Sequence, residues 1–233
     1  MNAETSFRIG YSKAKSLLKK VDMLLEENTT RGVPPNVSFS KEFIQVSREQ
    51  NYSQIYTTAR RNRDYQILLS DESFFQFSLN LASDGKSAVA RYAYYETPFD
   101  LAEVRALDNL HFGISTNWWE TELLEDQLRS NLEEKRFFTP IRYDFDLGLF
   151  KAELHPASHL HIGFANEIRI PVSKVLSPLA FTCFVLRHIY RPIWKDNRHL
   201  NEVTQAYNDI KSTCIDLEQS YFPDIEKRDL YLH

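Results

Sequence analysis

Cysteine is nearly absent from this chain of 233 residues. Cys183 and Cys214 each fall inside an apolar helical pattern with no CxxC spacing, which excludes a disulfide framework and a zinc site built from cysteines. Long apolar runs are missing too. A membrane span needs ~18 such residues, and the nearest approach is Leu179 to Leu186. The first thirty residues alternate charged and apolar side chains instead of forming the continuous stretch of a secretion signal. The expectation is therefore a cytoplasmic protein with no membrane partner. Positive charge is not in excess: 28 Lys and Arg stand against 32 Asp and Glu, a net charge of −4. That balance argues against coating a phosphate backbone by bulk charge, while leaving room for a local basic patch. P-loop, GxGxxG, GxSxG and HExxH motifs are all lacking, which removes nucleotide-driven motors, Rossmann dehydrogenases and serine hydrolases of the usual kind.

Apolar material, by contrast, is plentiful. Hydrophobic residues make up 42% of the chain and aromatic ones 13%, enough to build a real core and too much for a disordered chain. The length suits one domain with helical additions. We expect a single α+β domain over 1–233: a helical amino-terminal part at 1–62, a sheet core at 65–171 carrying the candidate site, and carboxy-terminal helices at 177–221.

Periodicity fills in that outline. From Tyr11 to Glu27, Ala14, Leu17, Leu18, Val21, Leu24 and Leu25 form the i, i+3, i+4, i+7 stripe of an amphipathic helix. Gly32, Pro34 and Pro35 stop it. A second helical segment begins at Ser40 and ends on Arg60, Arg61 and Arg63, cations that suit the negative pole of a helix C-terminus. Tyr65–Ser70, Ser73–Leu81 and Ala88–Glu96 read as strands of an antiparallel meander, with Asp84-Gly85 as turn chemistry between the last two. In the middle one Phe75, Phe77 and Leu79 alternate with Gln76, Ser78 and Asn80, the period of a strand with one buried face. Tyr92, Tyr94 and Tyr95 read mainly as strand packing. Trp118 to Arg136 reads as a helix opened by Trp118 and Trp119, and His111, His188 and His199 read as isolated structural residues. Further strands are expected at Thr139–Leu147, Ser158–Phe164 and around Ile168–Pro171, then a buried helix from Ser177 to Tyr190. The last helix, Leu200 to Tyr221, carries Val203, Tyr207, Ile210, Cys214, Leu217 and Tyr221 as a heptad-like seam. That seam packs either against the amino-terminal stripe or against a partner, including a second copy of the chain.

Two strands carry the chemistry. In TPIRYDFDL, side chains alternate faces, so Arg142, Asp144 and Asp146 share one side and Tyr143, Phe145 and Leu147 the other. In SHLHIGF, His159, His161 and Gly163 oppose Leu160, Ile162 and Phe164. If the two strands pair as an antiparallel hairpin, their polar faces converge, and the connection through His155-Pro156 folds over as a rim. Two imidazoles can divide general acid and base duty, with Asp144 orienting one ring. Arg142 suits an anionic group such as a phosphate, because its planar fork binds two oxygens at once. Arg91 adds positive charge if its strand lies alongside. The candidate catalytic set is therefore His159, His161, Asp144 and His155, and the candidate substrate-binding set Arg142, Tyr143, Asp146 and Arg91. No cofactor is required for that chemistry; with a divalent metal the ligands would be His155, His159 and His161. The bland alternative is a polar network on a solvated sheet face.

The segments IRYDFD and LHPASHLHIGFANEIRIPV resemble the signature of a family of uncharacterised bacterial proteins known as a domain of unknown function, a likeness over most of the chain that implies no activity. Over about thirty residues the chain is also similar to TumE-like toxins of bacterial toxin–antitoxin pairs, at Arg142, Tyr143, Asp144, His155, Pro156, His159 and His161. That resemblance implies an effector acting on RNA and restrained by an antitoxin or defence partner. The leading expectation is thus a phosphodiesterase or ribonuclease-like effector. Its competitor is a non-catalytic interaction module, or a regulatory partner in a defence or toxin–antitoxin locus, working through the terminal helices.

Overall fold

Alternating strands and two helical ends assemble as one α+β domain in a computed structural model that describes residues 3–49, 51–81, 88–100, 134–164 and 168–230. In chain order its elements are α1 (Ala3–Lys20), β1 (Leu24–Glu27), β2 (Gly32–Val33), β3 (Asn36–Val37), α2 (Lys41–Val46), α3 (Tyr52–Arg61), β4 (Ile67–Leu69), β5 (Phe74–Leu81), β6 (Ala88–Tyr95), β7 (Ile141–Asp146), β8 (Ser158–Ile162), β9 (Arg169–Pro171), β10 (Lys174–Val175), α4 (Pro178–His188), α5 (Arg191–Asn197), α6 (Asn201–Thr213), β11 (Ile215–Asp216) and α7 (Asp224–Leu230). The main sheet has seven strands in the order β1-β4-β5-β6-β7-β8-β9, each pair antiparallel. Among the described residues, no helix is long and apolar enough to cross a membrane. The expected Asp84-Gly85 turn, His111, Trp118 and Trp119 lie outside the described residues. Glu134, the start of the last described part of the expected Trp118–Arg136 helix, bridges Phe99 as extended chain.

One face of the sheet is apolar from edge to edge. Ile67, Phe75, Phe77, Tyr92, Tyr94, Ile141, Tyr143 and Leu160 point into a core shared with Leu17 and Leu18 of α1, Phe181 and Val185 of α4, and Val203 and Ala206 of α6. Helix α4 is capped by Ser177, whose hydroxyl accepts from the Ala180 N–H at 3.3 Å. Gly10 lets α1 cross its start, since a Cβ there would lie 2.9 Å from Ser177 Cβ.

The amino-terminal helix is shorter than its stripe implies. Asp22 adopts φ 55°, Met23 N–H reaches back to the Leu18 carbonyl at 2.9 Å and Asp22 N–H to that of Lys19 at 3.3 Å. This is a Schellman stop with aspartate in the left-handed position, which short polar side chains tolerate better than most. Leu24 and Leu25 then alternate inward and outward in β1 instead of extending the helix. The Ser40 segment is likewise two helices, because Asn51 caps a new one by accepting from the Gln54 N–H at 3.0 Å. The last long helix ends at Thr213. Cys214 turns extended and Ile215–Asp216 pair with β10, so Cys214, Leu217 and Tyr221 leave the helical seam.

What remains of that seam is spent within the chain. Val203 is buried against the same core as Leu17, with Tyr207 and Ile210 packed on it. Lys13–Asp209 at 2.6 Å and Lys20–Glu202 at 2.7 Å rim the contact between α1 and α6. Cys183 and Cys214 are buried free thiols.

The other face of the sheet is divided. Over β4 to β6 it is roofed by α2 and α3, and Phe43, Ile55, Tyr56, Tyr65, Leu68 and Phe74 form a second apolar cluster. That roof explains why Phe74, Phe75, Gln76 and Phe77 are all buried, where simple alternation predicts one wet face. The arginines at the end of α3 are paired, Arg60 with Glu72, Arg61 with Glu42 and Arg63 with Glu26. Beyond the roof, over β7 and β8, the same face carries the titratable residues.

Candidate functional site

Strand alternation decides which side chains meet. In β7 burial alternates along Ile141–Asp146, with Ile141, Tyr143 and Phe145 inward. Antiparallel pairing sets Arg142 opposite His161 and Asp144 opposite His159. On the other flank β6 sets Arg91 opposite Asp144 and Ala93 opposite Arg142. Directly opposed residues share a face with Cβ atoms ~5 Å apart, so the imidazoles, the carboxylate and the guanidinium are neighbours by register alone.

Their contacts are specific. His161 Nε2 lies 3.2 Å from Asp144 Oδ2, and Arg142 Nε donates to the same oxygen at 3.0 Å. The His159 ring packs on His161 with centroids 4.7 Å apart. From the rim, His155 meets His159 edge-on at 5.0 Å. His159 Nδ1–H donates to the Pro156 carbonyl at 2.8 Å. That bond selects the tautomer whose lone pair is on Nε2 and holds the ring in place.

The site is not a solvated surface. His159 and His161 are 1% and 2% exposed, which is at odds with the alternative of a solvated sheet face. Burial, with the charge His161 would carry next to it, pushes the His159 pKa down to about 4, so this imidazole is neutral at physiological pH. For Asp144, burial works to raise the pKa, but the His161 hydrogen bond and the Arg142 charge outweigh it and hold the carboxyl below its ordinary value. Two further atoms stand out. His161 Nδ1 and His155 Nδ1 are buried with no hydrogen-bond partner among the described residues. A buried polar group left in that condition costs ~1–3 kcal/mol.

The structure sorts the sequence candidates. Asp144, His159 and His161 converge, with one ligand-type atom of each within 4.8 Å of the others. Arg142 joins them through Asp144, and His155 stands beside His159 without belonging to that trio. The trio with ligand-type atoms close enough to share an ion is Asp144, His159 and His161, whereas the sequence candidates for that role were the three histidines His155, His159 and His161. Arg91 lies beside Asp144 in register but is exposed. Asp146 sits farther along the strand and accepts from the Gly148 N–H at 2.9 Å, capping the following turn. Tyr143 is across the sheet. Its hydroxyl donates to Ser158 Oγ at 2.9 Å and accepts from the Leu176 N–H at 2.9 Å, a buried network on the opposite face from the histidines.

A cavity of about 100 Å³ opens next to Arg142, lined by Tyr95, Pro140, Gly163 and Phe164 among others. That is room for roughly three waters, or for one small anionic group, with the bulk of any larger substrate outside. Gly163 has φ 83° and open space where a Cβ would be. Tyr92 and Tyr94 belong to the main core and Tyr95, on the other face of the strand by alternation, packs on the second cluster; Tyr94 and Tyr95 both border the cavity. Sequence reading also missed a hollow of ≈ 540 Å³ in the helical layer, lined by Arg187, His188, Arg191, Trp194, Lys195 and Arg198. The signal was there in cations spaced by four along α4 and α5. Helix α4 packs on the core face of the sheet through Phe181, so this hollow is not a subsite of the histidine cluster.

Comparison with known proteins adds a family and no activity. The model of an uncharacterized conserved protein family, DUF2290, matches residues 19–223. No curated protein matches the chain, and no solved structure does.

Proposed function

Because the chain belongs to the uncharacterized family DUF2290, whose description assigns no chemistry, we propose from the site itself that it is a phosphodiester hydrolase, an RNA-directed effector with Asp144, His159 and His161 as its reactive centre. The observation that carries this reading is the convergence of three buried titratable side chains on one sheet face, with Arg142 tied to the carboxylate and facing a cavity sized for one anionic group. A structural network would not need to leave two imidazole nitrogens without partners among the described residues. Arg142 supplies the fork that holds two phosphate oxygens. Exposed Arg91, one strand over, extends the positive charge toward the substrate.

The histidines divide unequally. An imidazole held neutral, with its lone pair fixed on Nε2, accepts a proton or binds an electrophile and does not deliver a proton. That favours His159 as an electron-pair donor over the acid half of an acid–base pair. His161, hydrogen-bonded to Asp144, is oriented by the carboxylate as in other His–Asp pairs. RNA as substrate, and restraint by a partner protein, draw support from the local resemblance of the RYD and HxH segments to TumE-like toxins.

The test is expression of the wild-type chain beside Asp144→Asn and His161→Gln, scored for growth arrest and RNA integrity, with circular dichroism confirming that each variant folds. Wild type should arrest growth and fragment RNA, and both variants should lose the effect by at least about a hundredfold in cleavage rate. Folded variants as active as wild type would remove the cluster from the chemistry.

A further inference from the structure

We propose that Asp144, His159 and His161 bind one divalent transition-metal ion. The inference rests on the reading of this cluster as the reactive centre and deepens it by naming the group that activates the nucleophile.

Geometry comes first. The ligand atoms lie within 4.8 Å of one another, and a tetrahedral ion with bonds of about 2 Å needs them roughly 3.3 Å apart. The register Asp144↔His159 and Arg142↔His161 already brings the three side chains together, and closing the remaining gap asks for small side-chain adjustments. Support around the ligands is also built. His159 donates its Nδ1–H to the Pro156 carbonyl, the arrangement that presents Nε2 to a metal and raises its basicity. Asp144 accepts from Arg142 Nε, which fixes the carboxylate. His161 has one ring nitrogen on Asp144 and the other buried without a partner among the described residues. For Nε2 to bind an ion its proton must leave the Asp144 side of the ring and move to Nδ1, where it would meet no acceptor among the described residues.

The donor set selects the ion class. Two imidazoles and one carboxylate suit Zn²⁺, Mn²⁺, Fe²⁺, Co²⁺ or Ni²⁺, whereas Ca²⁺ and Mg²⁺ prefer all-oxygen shells. Three protein ligands leave coordination positions open for water, and a metal-bound water ionises near neutral pH. The dication and Arg142 against one carboxylate make the centre positive, as an anionic phosphodiester requires. His155, outside the trio but against His159, is left as a neighbour and not a ligand.

The full chain, stripped with a chelator and dialysed, is titrated with Zn²⁺ by calorimetry and with Co²⁺ by visible absorption. One ion per chain is expected, with a d–d spectrum showing nitrogen and oxygen ligation. Asp144→Ala, His159→Ala and His161→Ala should each weaken binding by about tenfold or more, and His155→Ala by less than that. Asp144→Asn, His159→Gln and His161→Gln serve where an alanine variant fails to fold. Failure of folded wild type to take up Zn²⁺, Co²⁺, Mn²⁺ or Fe²⁺ overturns the site, as does uptake that the triple glutamine and asparagine variant leaves intact. The two proposals fail separately. Stoichiometric binding without RNA cleavage by the loaded protein sinks the hydrolase reading and keeps the metal. Cleavage by chelator-treated protein that binds no ion sinks the metal and keeps the hydrolase.

Discussion

Tyr143 and Asp144 are adjacent in sequence and opposite in meaning. Tyr143 points into the aromatic core beside Tyr92, with ring centroids 5.2 Å apart, and every polar capacity of its hydroxyl is used: it donates to Ser158, which in turn donates to the Lys174 carbonyl, and it accepts from Leu176. Asp144 is on the far side of the same strand, sharing one oxygen between a guanidinium and an imidazole, in a cluster where two ring nitrogens lack partners among the described residues. The Tyr143 hydroxyl is satisfied, while the cluster around Asp144 leaves buried ring nitrogens without partners among the described residues. Burial alone does not distinguish the two side chains, since both are largely dry; the satisfaction of their surroundings does.

The comparison breaks most easily on the core face. Phe181→Ala removes a ring packed against Phe75, Phe77 and Tyr92 and should destabilise the protein by about 3–5 kcal/mol. Urea titration reads this as a lower midpoint, and an unchanged midpoint would mean the core is not where the side chains place it. Tyr143→Phe is subtler. It keeps the ring and leaves the Leu176 N–H without its acceptor, a loss of about 1–3 kcal/mol. Any nuclease activity of the folded variant should stay within about twofold of wild type, since the hydroxyl lies across the sheet from the cluster. A large loss of rate at normal stability would erase the distinction between the faces.

The smallest effect is read by pH. His159 has its folded pKa lowered from 6.5 to about 4, so below 6.5 the unfolded chain binds a proton that the folded chain refuses. Stability conferred by this group is complete above 6.5 and is lost as pH falls toward about 4. In chelator-treated protein the loss near pH 5.5 is about 1 kcal/mol. Comparing the stability slope of wild type with that of His159→Gln isolates it, because the variant has nothing to titrate there. Equal slopes would place His159 in ordinary solvent.

Much of the architecture was legible in the sequence because it depends on local periodicity. The strands at Phe74–Leu81, Ala88–Tyr95, Ile141–Asp146 and Ser158–Ile162 and the helix Pro178–His188 fall where apolar alternation or helical spacing put them. Endpoints were less legible. Leu24 and Leu25 fit the helical stripe of α1, yet a left-handed Asp22 and pairing with β4 claim them for the sheet. Cys214 fits the spacing of α6, yet pairing of Ile215–Asp216 with Lys174–Val175 unwinds it. Hydrogen bonds to distant segments overrode the local pattern in each case. At the site the local pattern held: alternation turns Tyr143 to the opposite face from Arg142 and Asp144, and there it is buried.

By itself, the sequence determined which residues of the two central strands share a face, because the two-residue repeat of an extended chain is a steric property of the backbone and needs no neighbours. It thereby allied Arg142 with Asp144 and His159 with His161. Only the tertiary structure decided that the two alliances meet in register, that the histidines are enclosed instead of wet, and that Asp144 converges with His159 and His161 while His155 stands beside the trio. Those outcomes depend on which strand lies alongside and what covers it, and these are set by packing across the whole domain.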